Sequence, residues 1–269
     1  MKKTLLILLA SCAISLSAQE QNRGRFQVLT GYETDFYRTP YTRTMHVANA
    51  GFGYKGSLFA LYGKLNLGYL NLSDGVSSQH LSHQTQYELD YWQSINESKS
   101  TSFWLNYAYS PSELFPEHRI VFEVWQKLFA DFLVSGGFNH YRFPTINPTF
   151  FNVGLEKYFG RFWIEGKTYL YLKEPDLKTS YSLTSRLFFK DVNFLQLGIS
   201  FGSAQDEPFI IESDLNTLFS YSAHARYVTN AFNERIRIYT GITYLREEYQ
   251  SDTWRNRFSI GIGLTYNLK

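Results

Sequence analysis

The sequence predicts an all-β protein, an antiparallel transmembrane β-barrel. Apolar and polar residues alternate along most of the chain, and two kinds of connection alternate between the predicted strands. Aromatic residues make up 18% of the 269 residues, with 21 Tyr and 23 Phe. Successive side chains of a strand point to opposite faces, so the alternation gives each strand one apolar and one polar face. Tyrosine and phenylalanine favour such pleated, half-buried surfaces.

The chain opens with a predicted secretory signal peptide, residues 1–18. Lys2 and Lys3 precede an apolar run that ends in small residues, which is the order typical of a cleaved leader. The segment that ends at Cys12 also fits a lipobox, in which Cys12 becomes a lipidated N-terminus, and this alternative stays open. Because Cys12 is the single cysteine, the predicted barrel domain, residues 19–269, forms no internal disulfide.

Fourteen segments carry the alternation and are predicted strands. In residues 161–172, Phe162 and Ile164 fall on one face, while Glu165 and Lys167 fall on the other. Many of the segments have about ten residues, the length of a tilted strand that crosses a bilayer, whereas strands of soluble proteins have about 5–6. In chain order the segments are 24–37, 44–55, 57–71, 79–95, 100–110, 118–129, 131–143, 149–159, 161–172, 179–190, 194–202, 219–229, 235–244 and 257–268.

Long and short connections alternate between these segments. The odd connections are polar and often long, the longest being 203–218, while even connections such as 55–56 and 130–131 are tight. Outer-membrane barrels have short periplasmic turns and longer extracellular loops. The sequence therefore predicts a barrel in the outer membrane of a Gram-negative bacterium, with lipid outside, a polar lumen and both termini on the periplasmic side. Twelve strands is the alternative, if segment 79–95 lies outside the wall.

Four stretches resemble the YaiO-type outer-membrane β-barrel family, and the resemblance covers roughly residues 30–268. The resemblance implies an outer-membrane barrel and carries no settled biochemical activity. Some relatives have a helical repeat segment before the barrel. Here the first predicted strand follows the leader closely, so we do not expect a partner to dock through such repeats. The four stretches are Ser110–His118, Gly137–Phe143, Val153–Gly160 and Gly198–Asp206.

Charged residues of the polar face are expected to line the lumen. Acids dominate the first half of the chain and bases the last third. The first and last strands must meet, so we expect Glu33 and Asp35 to face Arg257 and Arg237. The charges form either interior ion pairs that stiffen the barrel, which we favour, or opposed walls of a weakly selective pore. They are Glu33, Asp35, Lys64, Glu88, Asp90, Glu123, Lys127, Glu156, Glu165, Lys167, Arg186, Lys190, Arg226, Arg235, Arg237 and Arg257.

Signals for catalysis or metal binding are weak, so the sequence predicts no enzyme activity and no cofactor. Ser220, Ser222 and His224 fall on one face of a predicted strand, where a nucleophile and its base would lie in a lipid hydrolase. No nucleophile motif surrounds them. His80 and His83 point to opposite faces of a strand, which disfavours a shared metal. Lys and Arg number 26 against 24 Asp and Glu, which argues against a nucleic-acid partner.

These patterns favour a non-enzymatic outer-membrane barrel that forms a narrow pore or export channel for small polar or saccharide-like solutes. The alternative is a closed structural barrel whose loops, chiefly 205–214, bind a cell-envelope protein or polysaccharide; a lipid hydrolase ranks third. Expected partners are outer-membrane lipid and, during biogenesis, the barrel-assembly machinery. Aromatic residues near strand ends are expected to form interfacial girdles. They are Tyr54, Tyr91, Trp92, Tyr109, Tyr158, Tyr227 and Trp254.

Overall fold

The computed structural model describes most of the chain after residue 23. The predicted signal peptide and the predicted binding loop 205–214 lie outside the described residues. Within the part that is described, no helix is long and apolar enough to span a membrane. The described ranges are 24–38, 42–73, 78–173, 176–190, 193–203, 218–231, 235–250 and 252–268.

Fourteen antiparallel strands form one closed barrel. Each strand pairs with its neighbours in sequence, and the last pairs with the first. The strands are β1 (Arg25–Arg38), β2 (Thr42–Lys55), β3 (Phe59–Ser73), β4 (Ser78–Ser94), β5 (Thr101–Tyr109), β6 (His118–Lys127), β7 (Phe132–Arg142), β8 (Thr149–Phe159), β9 (Phe162–Lys173), β10 (Asp176–Lys190), β11 (Asn193–Gly202), β12 (Phe219–Ala231), β13 (Ile236–Gln250) and β14 (Thr253–Asn267).

The prediction of fourteen strands is confirmed, and the twelve-strand alternative is wrong. Strand β4, which covers the weakly patterned segment, pairs with β3 and β5 within the wall. The pairing of β3 with β4 shifts between Gly68 and Leu70, a β-bulge that leaves the strand in the barrel. At the closure, β1 pairs with β14 from Gln27 opposite Asn267 to Arg38 opposite Asn256.

The two ends of the barrel differ in their connections. One end, which we call the periplasmic end, carries the start of β1, the end of β14 and turns such as 56–58, 128–131 and 160–161. The opposite, extracellular end carries the longer connections 110–117 and 143–148. This asymmetry is the one expected of an outer-membrane barrel.

The two faces of the wall divide as the alternation predicts. On β1, Val28, Tyr32 and Phe36 point outward and are exposed, whereas Asp35 and Tyr37 point inward and are buried. Outward apolar side chains of this kind recur on the other strands and form the surface that contacts lipid. The inner face is polar, and it holds the candidate functional site.

Candidate functional site

The register places most of the predicted lumen charges on the inner face, within the strands. The two exceptions are at the periplasmic end. Lys127 ends β6, and its Nζ lies 2.8 Å from Asp131 Oδ1 in the following turn. This contact lowers the pKa of Asp131. Arg235 immediately precedes β13 and is exposed. The side chain of Lys190 lies outside the described residues.

A network of buried charges crosses strands β3 to β6. Lys64 Nζ lies 2.9 Å from Glu88 Oε1 and also pairs with Asp90. Arg119 Nη2 lies 3.3 Å from Glu88 Oε2. Asn106 Nδ2 donates hydrogen bonds of 2.9 Å to Glu88 and 2.7 Å to Asp90. Two cations therefore offset two anions, and we call this set of five residues the Glu88 network.

A second ion pair lies farther around the inner wall. Lys167 Nζ is 2.7 Å from Glu123 Oε1 and 3.5 Å from Glu165 Oε1. Together with the Glu88 network, this contact shows that several acids of the first half of the chain have cations on strands nearby. The arrangement resembles the predicted interior ion pairs more than a wholly acidic wall.

At the extracellular end, three arginines surround one tyrosine. The guanidinium of Arg43 lies 3.7 Å from the centroid of the Tyr37 ring, and Arg257 Nη1 donates a 2.8 Å hydrogen bond to the Tyr37 hydroxyl. Arg255 also lies over this ring and forms an ion pair with Glu247. These residues are almost fully buried. Arg43, Glu247 and Arg255 were missing from the residues that the sequence analysis selected, as was Arg119.

The register of the closure sets other residues directly opposite one another than those expected. Strands β1 and β14 do meet, but Arg257 lies opposite Tyr37 and Asp35 lies opposite Ser259. Glu33 lies opposite Gly261. Asp35 thus pairs with a residue two positions beyond Arg257, the partner that was expected.

The connection between β5 and β6 folds into the barrel. We call residues 110–117 the inner loop. Its Leu114 and Phe115 are each 2% exposed and pack against Val47 and Leu70 on the inner wall. The sequence predicts a polar connection here, yet its apolar pair fills part of the extracellular half of the lumen.

Hydrogen bonds to β4 hold the inner loop in place. The hydroxyl groups of Ser110 and Ser112 donate to the carbonyl of Thr85, at 2.7 and 2.9 Å. The Leu114 amide donates to Gln84 Oε1 at 3.2 Å. The loop is therefore fixed at both its first residues and its apolar tip.

Aromatic side chains fill a second sector of the extracellular half. Tyr141, Phe143, Phe150 and Tyr171 form a buried cluster, against which Ile146 from the 143–148 connection packs. Both described connections of this end thus contribute apolar side chains to the interior.

The rest of the lumen contains a charged cavity of about 650 Å³. It extends toward the periplasmic end, since Phe194 and Arg237 in its lining are each the second residue of a strand that begins there. Its charged and polar lining includes Glu33, Asn49, Lys64, Asn66, Glu88, Arg119, Gln196, His224, Arg226, Arg237 and Tyr239.

Four tryptophans point inward at the periplasmic end. Trp92, Trp104, Trp125 and Trp163 each lie within three residues of the periplasmic end of their strands. The prediction that Trp92 belongs to an interfacial girdle is wrong, because its register partners Ala60 and Trp104 face the lumen. Tyr158 is likewise inward, opposite Trp163, and not in a girdle.

The candidate hydrolase residues do not form a catalytic arrangement. Ser222 Oγ lies 2.6 Å from Ser200 Oγ, and Ser220 Oγ donates to the Gly202 carbonyl. His224 Nε2 lies 3.2 Å from Gln196 Nε2. A serine nucleophile needs a hydrogen bond to its base, and the serine hydroxyls here are engaged by other partners. Among the described residues, no group of three His, Cys, Asp or Glu side chains is placed to hold a metal ion.

Comparisons with known proteins agree with this architecture. The family model of the YaiO membrane beta barrel domain matches residues 25–207. A comparison with curated protein sequences found no match. The fold and the family match confirm the predicted location, the outer membrane of a Gram-negative bacterium.

Solved structures of outer-membrane barrels are similar in fold. Two mutants of the TodX monoaromatic hydrocarbon channel have TM-scores of 0.53 and 0.54 at 11% identity. The alignments cover 96% and 93% of this chain, and 94% and 91% of those chains. Omp33 of Acinetobacter baumannii gives a TM-score of 0.48 at 12% identity, over 91% of this chain and 99% of that one. At such identities the likeness shows the fold alone.

Proposed function

Because the chain belongs to the YaiO membrane β-barrel family, we propose that it is a non-enzymatic outer-membrane channel for small polar or saccharide-like solutes. The observation that carries the proposal is the charged cavity of about 650 Å³ inside the barrel. Charges along a pore wall attract and select polar solutes. TodX is a monoaromatic hydrocarbon channel; the charged lining here supports a different, polar class of solute.

The inner loop supplies the gate in this proposal. Leu114 and Phe115 fill part of the extracellular half of the lumen, and in the proposed channel a solute passes when the loop moves. The apolar tip contacts the wall through side chains, and hydrogen bonds from Ser110, Ser112 and Leu114 to β4 anchor the loop. Each such bond contributes only about 0.5–1.5 kcal/mol, and burial of the Leu114 and Phe115 side chains adds about 1.5–3 kcal/mol each to the free energy that displacement of the loop requires.

Single-channel recording in a planar lipid bilayer tests the proposal. The signal-free barrel is compared with a variant that carries Leu114→Ser and Phe115→Ser, which removes the apolar contacts of the loop. We expect brief current steps from the unchanged protein and longer or larger steps from the variant. Silence from both proteins, after insertion has been verified by protease protection, would contradict a channel.

A closed structural barrel is the second candidate, and the packed extracellular half favours it. Leu114, Phe115, Tyr141 and Phe150 are all nearly fully buried there. In this case the barrel presents its loops to a cell-envelope protein or polysaccharide. Deletion of residues 205–214 should then abolish recovery of the partner from cells after crosslinking, whereas a channel gated by the inner loop keeps its conductance after the same deletion.

A further inference from the structure

Three tryptophans form a stacked platform on the inner wall at the periplasmic end. The ring of Trp92 lies 5.2 Å from that of Trp104 and 5.4 Å from that of Trp125, with interplanar angles of 13° and 23°. These centroid distances and shallow angles are those of offset-stacked aromatic rings. We call Trp92, Trp104 and Trp125 the tryptophan platform.

The platform is partly exposed inside the barrel. Trp92 is 40% exposed, although it points away from the lipid that would cover such a ring on the outer wall. An indole exposed inside a polar channel loses the gain from burial that lipid or a protein core would provide. A ligand that packs on the ring restores that gain, which is why exposed aromatic faces often mark binding sites.

Buried carboxylates fix the orientation of the platform. Trp104 Nε1 donates to Asp90 Oδ1 at 3.0 Å, and Trp125 Nε1 donates to Glu156 Oε1 at 2.8 Å. Trp163 Nε1 donates to the other oxygen of Glu156 at 2.9 Å. Because these indole donors are engaged with the wall, the planes of Trp104 and Trp125, on which Trp92 stacks, are set before any ligand arrives.

Charged groups lie next to the platform. Asp90, which accepts from Trp104, pairs with Lys64 of the cavity lining. On the other side, Lys55 at the periplasmic end of β2 lies opposite Ala60, which in turn lies opposite Trp92. An aromatic surface therefore stands beside hydrogen-bonding charges, and one of these, Lys64, also lines the cavity.

A sugar ring matches this combination. One face of a pyranose is lined by C–H groups, whose positive edge packs on the negative face of an indole. The hydroxyl groups around the ring accept from ammonium groups and donate to carboxylates. An aromatic hydrocarbon would also stack, but it offers the adjacent charges no hydrogen bond and would desolvate them at a cost.

We propose that the tryptophan platform binds a saccharide at the periplasmic mouth of the barrel. This inference rests on the proposed channel and names its class of solute. In that setting the platform collects the saccharide from the periplasm and passes it to the charged cavity beside Lys64 and Glu88. Trp163 orients Glu156 and takes no part in stacking the ligand, because the ring is 4% exposed and the guanidinium of Arg186 lies 4.2 Å from its centroid.

Isothermal titration calorimetry on the refolded, signal-free barrel in detergent tests the site. The probes are maltoheptaose, a neutral oligosaccharide, and an oligogalacturonate, an acidic one; toluene serves as the aromatic comparison. We expect saturable heat from at least one oligosaccharide, with Trp92→Ala weakening the affinity by roughly tenfold, which is the scale of one lost stacking face. Trp92→Phe keeps a ring and should recover most of that loss.

The matched control is Trp254→Ala. Trp254 lies at the extracellular end of β14 on the outer face, stacked on Tyr221, so its removal should leave saccharide affinity unchanged. Heat-dependent migration on gels verifies that each variant is folded. Absence of saturable heat with both oligosaccharides overturns the proposal, as does binding that survives Trp92→Ala, or saturable heat with toluene alone.

The channel and the platform fail in different ways. A barrel that conducts but binds neither oligosaccharide keeps the proposed channel and loses the platform. A barrel that binds an oligosaccharide through Trp92 but stays electrically silent keeps the site and loses the channel. A preference between the two probes tells whether Lys55 and Lys64 favour an acidic sugar over a neutral one.

Discussion

Gly68 and Leu114 approach each other so closely that a Cβ on residue 68 would lie 2.5 Å from Leu114 Cδ2. The same atom would lie 2.8 Å from Phe115 Cζ. Gly68 points into the lumen on β3, opposite Val47. The missing side chain therefore provides the space into which the tip of the inner loop packs.

Substitution Gly68→Leu should displace the inner loop and increase conductance. The new side chain occupies the space of Leu114 and Phe115, and these two residues can withdraw only if the tip of the inner loop leaves the lumen. Planar-bilayer recording should show steps at least several-fold more frequent than those of the unchanged protein. The control is Gly261→Leu, since a Cβ there would lie 3.9 Å from the nearest atoms, those of Glu33 and Tyr32. That leucine enters the cavity, so equal increases from both variants would refute the gate.

Alanine at Gly137 should destabilise the barrel, whereas alanine at Gly136 should not. A Cβ on Gly137 would lie 2.1 Å from the Phe122 carbonyl oxygen and 2.8 Å from Glu123 Cα, both backbone atoms that cannot rotate away. A Cβ on Gly136 has its nearest atom at 3.8 Å. Urea unfolding in lipid vesicles should show a loss of about 1–3 kcal/mol for the first variant and within about 0.5 kcal/mol for the second. Equal losses of unfolding free energy in the two variants would show that crowding by the backbone at Gly137 is not the cause.

Removal of the Lys64 charge should weaken the fold through the Glu88 network. Lys64→Met leaves Glu88 and Asp90, both largely buried, with one cation fewer, and we expect a loss of about 2–3 kcal/mol by urea unfolding. Adding Glu88→Gln removes an uncompensated charge and should recover part of that loss. Lys127→Met is the control, because its partner Asp131 is a solvent-exposed turn residue and such pairs contribute little. A double variant no more stable than the single one would show that the charges are not coupled.

The cavity should prefer anions. Its lining contains four cationic side chains, Lys64, Arg119, Arg226 and Arg237, and two anionic ones, Glu33 and Glu88. Replacement of Arg226 and Arg237 by Gln should move the reversal potential in a salt gradient toward that of a non-selective pore. Arg246→Gln is the control, because Arg246 lies over Trp254 on the outer face. An equal reversal potential for the unchanged protein and the lumen variants would mean that ions do not pass this lining.

The strands were predictable because most wall residues follow the two-residue period, apart from register shifts such as the one between Gly68 and Leu70. The prediction for Trp92 was wrong because it did not apply that period. Tyr91 and Trp92 are adjacent, so only one of them can face lipid. Tyr91 shares its face with the outward Tyr87 and Leu89, while Trp92 shares its face with Glu88 and Asp90. The alternation along β4 therefore predicts the inward orientation of Trp92, whereas its position near a strand end does not.

The arginine cluster was missed for a different reason, the extent of the last two strands. The predicted segments ended at 244 and began at 257, whereas β13 continues to Gln250 and β14 begins at Thr253. Glu247 and Arg255 thus fell in a predicted connection. Boundaries of this kind depend on pairing with the neighbouring strand, since charged residues near strand ends resemble loop residues in composition.

The inner loop lay beyond what a local pattern can predict. Leu114 and Phe115 stand out as an apolar pair in a polar connection, but their destination depends on Gly68 and Val47, on strands that precede them in the chain. Contacts between a loop and the far wall leave no periodic signal in the sequence. The stacking of Trp92 on Trp125 likewise requires the curvature of the closed wall.

The pairing of Gln27 with Asn267 joins residues 240 positions apart. Until β14 has been synthesised and exported, β1 remains an unsatisfied edge, and an unsatisfied edge invites pairing with other chains. Closing so distant a contact is entropically slow. The chain is therefore most vulnerable to aggregation during its passage through the periplasm. A truncation that removes only β14 should reduce the yield of folded barrel more than any substitution in the lumen, because it leaves an open sheet with two unpaired edge strands.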